Sequence, residues 1–138
     1  MTPPIAAAGL DDAAGLNDAS GLDDTSGRDV VELHVPCGSD EEAAAIARQT
    51  VEDRLAACGN VLPNVRSWFR WEGRVQQDTE ALLILKTTAA RRSACAAAVR
   101  RLHSYDLPAI TAAAVWCDEA TAAWVRTQTS PEGTEENR

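Results

Sequence analysis

The spacing of apolar and polar residues changes period several times along this chain, and each change marks an element. "DVVELHV" (29–35) is short, rich in β-branched residues and stopped by Pro36 and Gly38, which predicts a first strand. Ser39 followed by Glu42 forms an S-x-x-E capping box. Beyond it Ala43, Ala47, Val51, Leu55 and Cys58 recur at helical spacing, so a helix is expected to run until Gly59 stops it. "NVLPNVRSWFRW" (60–71) reads as a second strand, and Pro63 confines it to an edge or a bulge. Gly73 turns the chain, and residues 74–88 make a third strand. A second helix over about 89–102 puts Cys95, Val99 and Leu102 on one face. "AITAAAVW" (109–116) is a fourth strand, and a last helix opens at Asp118 and carries Trp124.

The order βαββαβ plus a C-terminal helix is that of an α+β, ferredoxin-like fold. Right-handed crossovers then give an antiparallel sheet of order 4-1-3-2 with both main helices on one face. The run Leu82, Leu83, Ile84 and Leu85 does not alternate, as a strand with one wet face should. The face away from the two helices must therefore be covered by the last helix or by a partner subunit. Trp68, Phe69 and Trp71, crowded near a hairpin tip, point to a homo-oligomer.

Charge redraws the domain boundaries. The formal net charge is −8, but residues 1–27 hold five acids and no base, and residues 28–131 hold 13 acids against 12 bases. Three hexads, "GLDDAA GLNDAS GLDDTS", fill residues 9–26. Each offers one leucine against chain entropy, which predicts a disordered acidic leader over 1–27, with calcium binding a distant alternative. A folded domain is expected over 28–130 and a disordered tail over 131–138. The near-neutral body carries no electrostatic footprint for nucleic acid. No apolar run is long enough to span a membrane. With no basic-then-apolar start and no paired C-x-x-C among Cys37, Cys58, Cys95 and Cys117, the expectation is a cytoplasmic protein with reduced thiols.

Candidate chemistry follows from the topology. One end of the sheet gathers His34 and Cys37, the hairpin tip with Glu72, and the loop with His103, Tyr105 and Asp106. Imidazole with thiolate suits copper or zinc, so His34, Cys37 and His103 are the candidate metal ligands, with Glu72 or Asp106 in support. The plainer reading makes His34 a satisfied strand residue, Cys37 a small buried hydrophobe, and His103 a partner of a helix C-terminus. Glu72, Asp106 and His103 offer an acid/base set, but no nucleophile elbow and no phosphate-cradling glycine loop accompany them. This set therefore ranks below the metal reading.

Residues 53–88, "DRLAACGNVLPNVRSWFRWEGRVQQDTEALLILKTT", resemble the signature of the CutA1 divalent-cation tolerance family. The resemblance is carried by Leu55 to Cys58, Asn60, Pro63, Ser67, Phe69, Trp71, Gly73, Glu80, Leu83, Lys86 and Thr87, and by the later "HSYDLPAI" and "WV" at Trp124. It implies a ferredoxin-like homotrimer, a role in copper or divalent-metal tolerance, and no established enzymatic activity. A fold-level analogy to PII-type signalling trimers gives the alternative, a module binding a small anionic metabolite between subunits. In some members copper ligation is assigned to a cysteine whose place is taken here by His34, and to a histidine that maps to His103. A second histidine position maps to Leu102. Ser104 stands where the family has proline, Asp106 and Ala109 where it has glutamates, and the longer "PCGS" loop brings in Cys37.

Overall fold

The computed structural model describes residues 29–131; the acidic leader and most of the tail lie outside the described residues. The elements in chain order are β1 (Val30–Cys37), α1 (Asp40–Glu52), β2 (Cys58–Trp71), β3 (Arg74–Thr88), a 3-10 turn (Ala89–Arg91), α2 (Arg92–Leu102), β4 (Thr111–Ala114) and α3 (Glu119–Gln128). The sheet is antiparallel with order β2-β3-β1-β4, as the crossover rules require.

Register fixes which side chains reach which layer. Val31, Leu33, Val35 and Cys37 on β1 lie opposite Thr87, Leu85, Leu83 and Ala81 on β3. These positions face α1 and α2 and form the main core with Ala43, Ile46, Cys95 and Val99. The alternate positions, Val30, Glu32, His34 and Pro36, face the other way. There α3 covers only one end, through Val30, Ala57, Ala122 and Val125. Leu82 and Ile84 stay half-buried and Leu62 is exposed, so the continuous apolar run on β3 has one of its two faces only partly sealed.

Helix α1 stops earlier than its apolar spacing predicts. It ends at Glu52, and Cys58 begins β2 instead of closing the helix. Arg54 takes a left-handed φ of 59°, and the amides of Leu55 and Ala56 both donate to the Thr50 carbonyl. The chain can then reach the sheet, where the Ala57 amide donates to the Lys86 carbonyl. The buried stripe is Ala43, Ile46 and Thr50, with the Thr50 hydroxyl satisfied by the Ile46 carbonyl at 2.8 Å. Leu102, expected on the core face of α2, is exposed, and Ala98 is buried with Cys95 and Val99 in its place. Strand β4 is also shorter than expected, Thr111–Ala114, and exposed along its length.

The β2–β3 pair outruns the rest of the sheet. β1 ends opposite Ala81, while β2 and β3 stay paired from Val65↔Glu80 to Trp71↔Arg74. Seven successive pairs, six steps of about 3.3 Å, make an arm of about 20 Å. A bulge between Leu62 and Val65 absorbs Pro63 and Asn64, the latter at φ 59°, where the arm leaves the sheet. A two-stranded ribbon is marginal alone. This one carries Trp68, Trp71 and Val75 at 55, 49 and 64% exposure, although Arg66 stacks over the Trp68 ring at 5.0 Å.

Gly59 lets α1 lie close on the sheet. A β-carbon there would sit 2.8 Å from the Ala47 β-carbon and 3.0 Å from a Leu85 methyl. Gly59→Ala is expected to destabilise the protein by about 1–3 kcal/mol through overpacking. Gly73→Ala, which meets no atom but must hold φ +78°, is expected to cost about 1 kcal/mol. Urea denaturation of the two variants checks the order.

Candidate functional site

Three potential ligand side chains converge where β1, α1 and the loop after α2 meet. Cys37 Sγ, one carboxylate oxygen of Glu42 and one ring nitrogen of His103 all lie within 4.8 Å of one another. Each is placed by local structure. Cys37 is the last residue of β1 and faces the helices. Glu42 is in the first turn of α1, where Ser39 caps the helix by accepting from the Glu42 amide at 3.1 Å. His103 caps the C-terminus of α2 with its amide on the Val99 carbonyl, and its side chain is fully buried.

Pro36 explains how the end of β1 is used. β4 pairs with β1 only as far as His34, so beyond that point β1 has a free edge. A proline on that edge removes no ladder bond. Its carbonyl accepts a hydrogen bond from His103 Nε2 at 2.8 Å. The Tyr105 amide donates to His103 Nδ1 at 3.0 Å. These two partners assign the imidazole proton to Nε2 and leave the ring neutral, with its lone pair held by the Tyr105 amide.

Glu42 is the clip between two loops. One of its oxygens accepts from the Gly38 amide at 3.1 Å and the other from the Ser104 amide at 2.7 Å. Burial pushes this carboxyl up, but the hydrogen bonds from Ser104 and Gly38 outweigh it and hold the group below its usual value of 4.5. Burial, then the charges of Glu42 and Glu80, push the Cys37 thiol up to about 12, so at neutral pH it is a neutral thiol. Tyr105 packs its ring against His103 at a tilt of 55°, centroids 4.6 Å apart, and its hydroxyl donates to Glu80 Oε2 at 2.8 Å. Burial and that carboxylate raise its phenol as well.

Of the residues singled out in the sequence, the structure brings Cys37 and His103 together and leaves His34 apart. His34 lies on the opposite face of the sheet, between Ile84 and Thr111. Its Nε2 is 3.1 Å from Glu32 Oε1, and the other Glu32 oxygen accepts from Lys86 Nζ at 2.9 Å. The Lys86 bond leads in holding the Glu32 carboxyl below its usual range. Glu72 sits at the tip of the hairpin arm and Asp106 is an exposed loop residue, so neither supports the cluster. The carboxylate that does is Glu42, which the sequence pattern presented only as part of a capping box.

A cation could use this donor set with modest adjustment. Zinc binds thiolate at about 2.3 Å and imidazole at about 2.0 Å, which places tetrahedral donors about 3.5 Å apart. The three ligand atoms, all within 4.8 Å of one another, are near enough to close to that spacing by side-chain adjustment. The thiol must lose its proton, and His103 must give up a hydrogen bond. The set fits copper or zinc in kind, and its internal hydrogen bonds compete with the ion.

The CutA1 divalent ion tolerance protein family model matches residues 31–128, nearly the whole described chain. The chain belongs to the CutA1 family. The divalent-cation tolerance protein CutA of Thermus thermophilus is 44% identical over 84 residues, covering 61% of this chain and 80% of that protein. The CutA homolog of Xenopus laevis is 43% identical over 74 residues, 54% of this chain, and the match spans about half (49%) of that longer relative. Crystallographic CutA of Xylella fastidiosa superposes with a TM-score of 0.72 at 32% identity, over 74% of this chain and 99% of that one. The α+β fold with a four-stranded antiparallel sheet is therefore the fold of the solved CutA proteins.

Removing the clip tests its weight. Glu42→Ala strips both amides of their acceptor and is expected to cost about 2 kcal/mol. Because the Glu42 carboxyl is held below 4.5, its contribution is present above that pH and is lost as the pH falls through the lowered value. Urea denaturation over pH 3 to 7 should therefore show a shallower loss of stability on acidification in Glu42→Ala than in the wild type.

Proposed function

We infer that this CutA1-family chain binds a divalent cation, copper foremost, as a homotrimer and without catalysing a reaction. The observation that carries the reading is the convergence of a thiol, a carboxylate and an imidazole within 4.8 Å at the end of β1. The ligands in this reading are Cys37, Glu42 and His103. His34, grouped with them by the sequence pattern, belongs to the separate polar row with Glu32 and Lys86. Binding is weak at neutral pH, since the ion must displace the Cys37 proton and compete with bonds already made. The names of the relatives, which concern divalent cations, favour this reading over a metabolite-binding signalling module.

Trimer formation answers two features of the single subunit. The arm exposes two tryptophans and a valine, and Leu62, Leu82 and Ile84 lie on a half-covered sheet face. A cytoplasmic setting goes with the reading, since Cys37, Cys58, Cys95 and Cys117 are all free thiols. Light scattering should return three times the 14.7 kDa chain mass; a value equal to one chain overturns the trimer.

Cobalt(II) tests the ligand set, because a coordinated thiolate gives a near-ultraviolet charge-transfer band. That band should appear with the wild type and vanish in Cys37→Ser. Affinity should rise about tenfold per pH unit between pH 6 and 9, because the thiol ionises only near 12 and each ion bound releases its proton. An unchanged isotherm in a Cys37→Ser/His103→Ala double variant rejects the assignment.

A further inference from the structure

The buried His103 has no free lone pair. Nε2–H donates to the Pro36 carbonyl, and Nδ1 accepts from the Tyr105 amide. A cation can reach this imidazole by two routes. Taking Nε2 requires removing its proton and breaking a 2.8 Å bond that orients the ring. Taking Nδ1 requires no deprotonation, only the departure of one amide, and it keeps Nε2–H on a backbone carbonyl. That last arrangement is the one metal-bound histidines ordinarily show. Nδ1 is also the nitrogen on the Glu42 side, 3.9 Å from Oε2.

We propose that Tyr105 gates the cation site: its backbone amide holds the His103 lone pair until an ion displaces it, and displacement frees Tyr105 from the sheet. This rests on the cation reading given above. In the resting form Tyr105 is fastened three times, by its amide on Nδ1, by its ring on the imidazole, and by its hydroxyl on Glu80. The ion takes the Nδ1 lone pair and the thiolate of Cys37, whose proton leaves to solvent. The Tyr105 amide loses its acceptor and turns to water, which the exposure of the loop allows. The aromatic contact and the Glu80 bond are set by the same backbone and are lost with it. Glu80 begins the paired arm, opposite Val65 at the bulge. Ion binding at the buried end of β1 is thereby felt at the root of the arm. Tyr105 is a positioning residue in this scheme, setting affinity through His103 without touching the ion.

The chain has a single tyrosine, so selective nitrogen-15 labelling of tyrosine gives one backbone amide resonance, that of Tyr105. Zinc is the probe, added to the full chain at pH 8 and followed by calorimetry and by that resonance. The amide proton should move upfield as zinc saturates. Tyr105→Phe, which loses only the tie to Glu80, should bind zinc about five-fold more tightly. A purely structural tyrosine predicts weaker binding in that variant or none. If zinc binds with heat that Cys37→Ser abolishes while the Tyr105 resonance stays fixed, the site stands and the gate is wrong. Tyr105→Phe binding no more tightly than wild type also overturns the gate. No heat with zinc at all removes both the gate and the cation reading.

Discussion

The antiparallel pairing of β1 with β3 is the constraint from which the site follows. A strand has a two-residue period, so one register assigns every β1 side chain to a face. Val31, Leu33, Val35 and Cys37 go to the helices, and Val30, Glu32, His34 and Pro36 go to the other side. Cys37 thus meets Glu42 and His103 because it continues the core series. His34, three residues earlier, is kept from them by the sheet itself. No rotamer change carries it through, so two residues that look like neighbours in the sequence serve two environments.

Much of this was legible beforehand because the signals were strong and local. The bounds of β3, the capping box at Ser39 and Glu42, the proline that puts β2 at the edge, and the strand order all follow from period, turn chemistry and handedness. Two of the differences arise from tertiary contacts that local patterns do not carry. Pro36 reads as a strand terminator, yet β1 runs through it because its free edge needs no amide there. Ending the strand at Val35 hides the parity that separates His34 from Cys37. In the same way Cys58 continues an apolar helical spacing, but pairing with β3 claims it for β2. Glu42 was visible as a cap; that its carboxylate also ties Ser104 depends on contact between residues 62 positions apart.

The cluster shows how a buried polar group can be both structural and chemically available. All three side chains are satisfied as they stand, as buried polar atoms must be. Cys37 is neutral, His103 bridges two backbone groups, and Glu42 spans two amides. The same interactions that make this end of the fold stable are the ones an ion would have to displace under the proposed reading.

The projecting ribbon bears on the order in which the molecule assembles. Its pairs close outward from the Gly73 turn, where the paired Trp71 and Arg74 are only three positions apart in sequence. The joining of Val30 to Thr88 must close a loop of 58 residues, and that of Val31 to Ala114 one of 83. Such closures dominate the entropic barrier of a mixed fold. The ribbon is therefore a fast local zipper, and the speed of folding is governed by the moment when β1 arrives between its two distant neighbours.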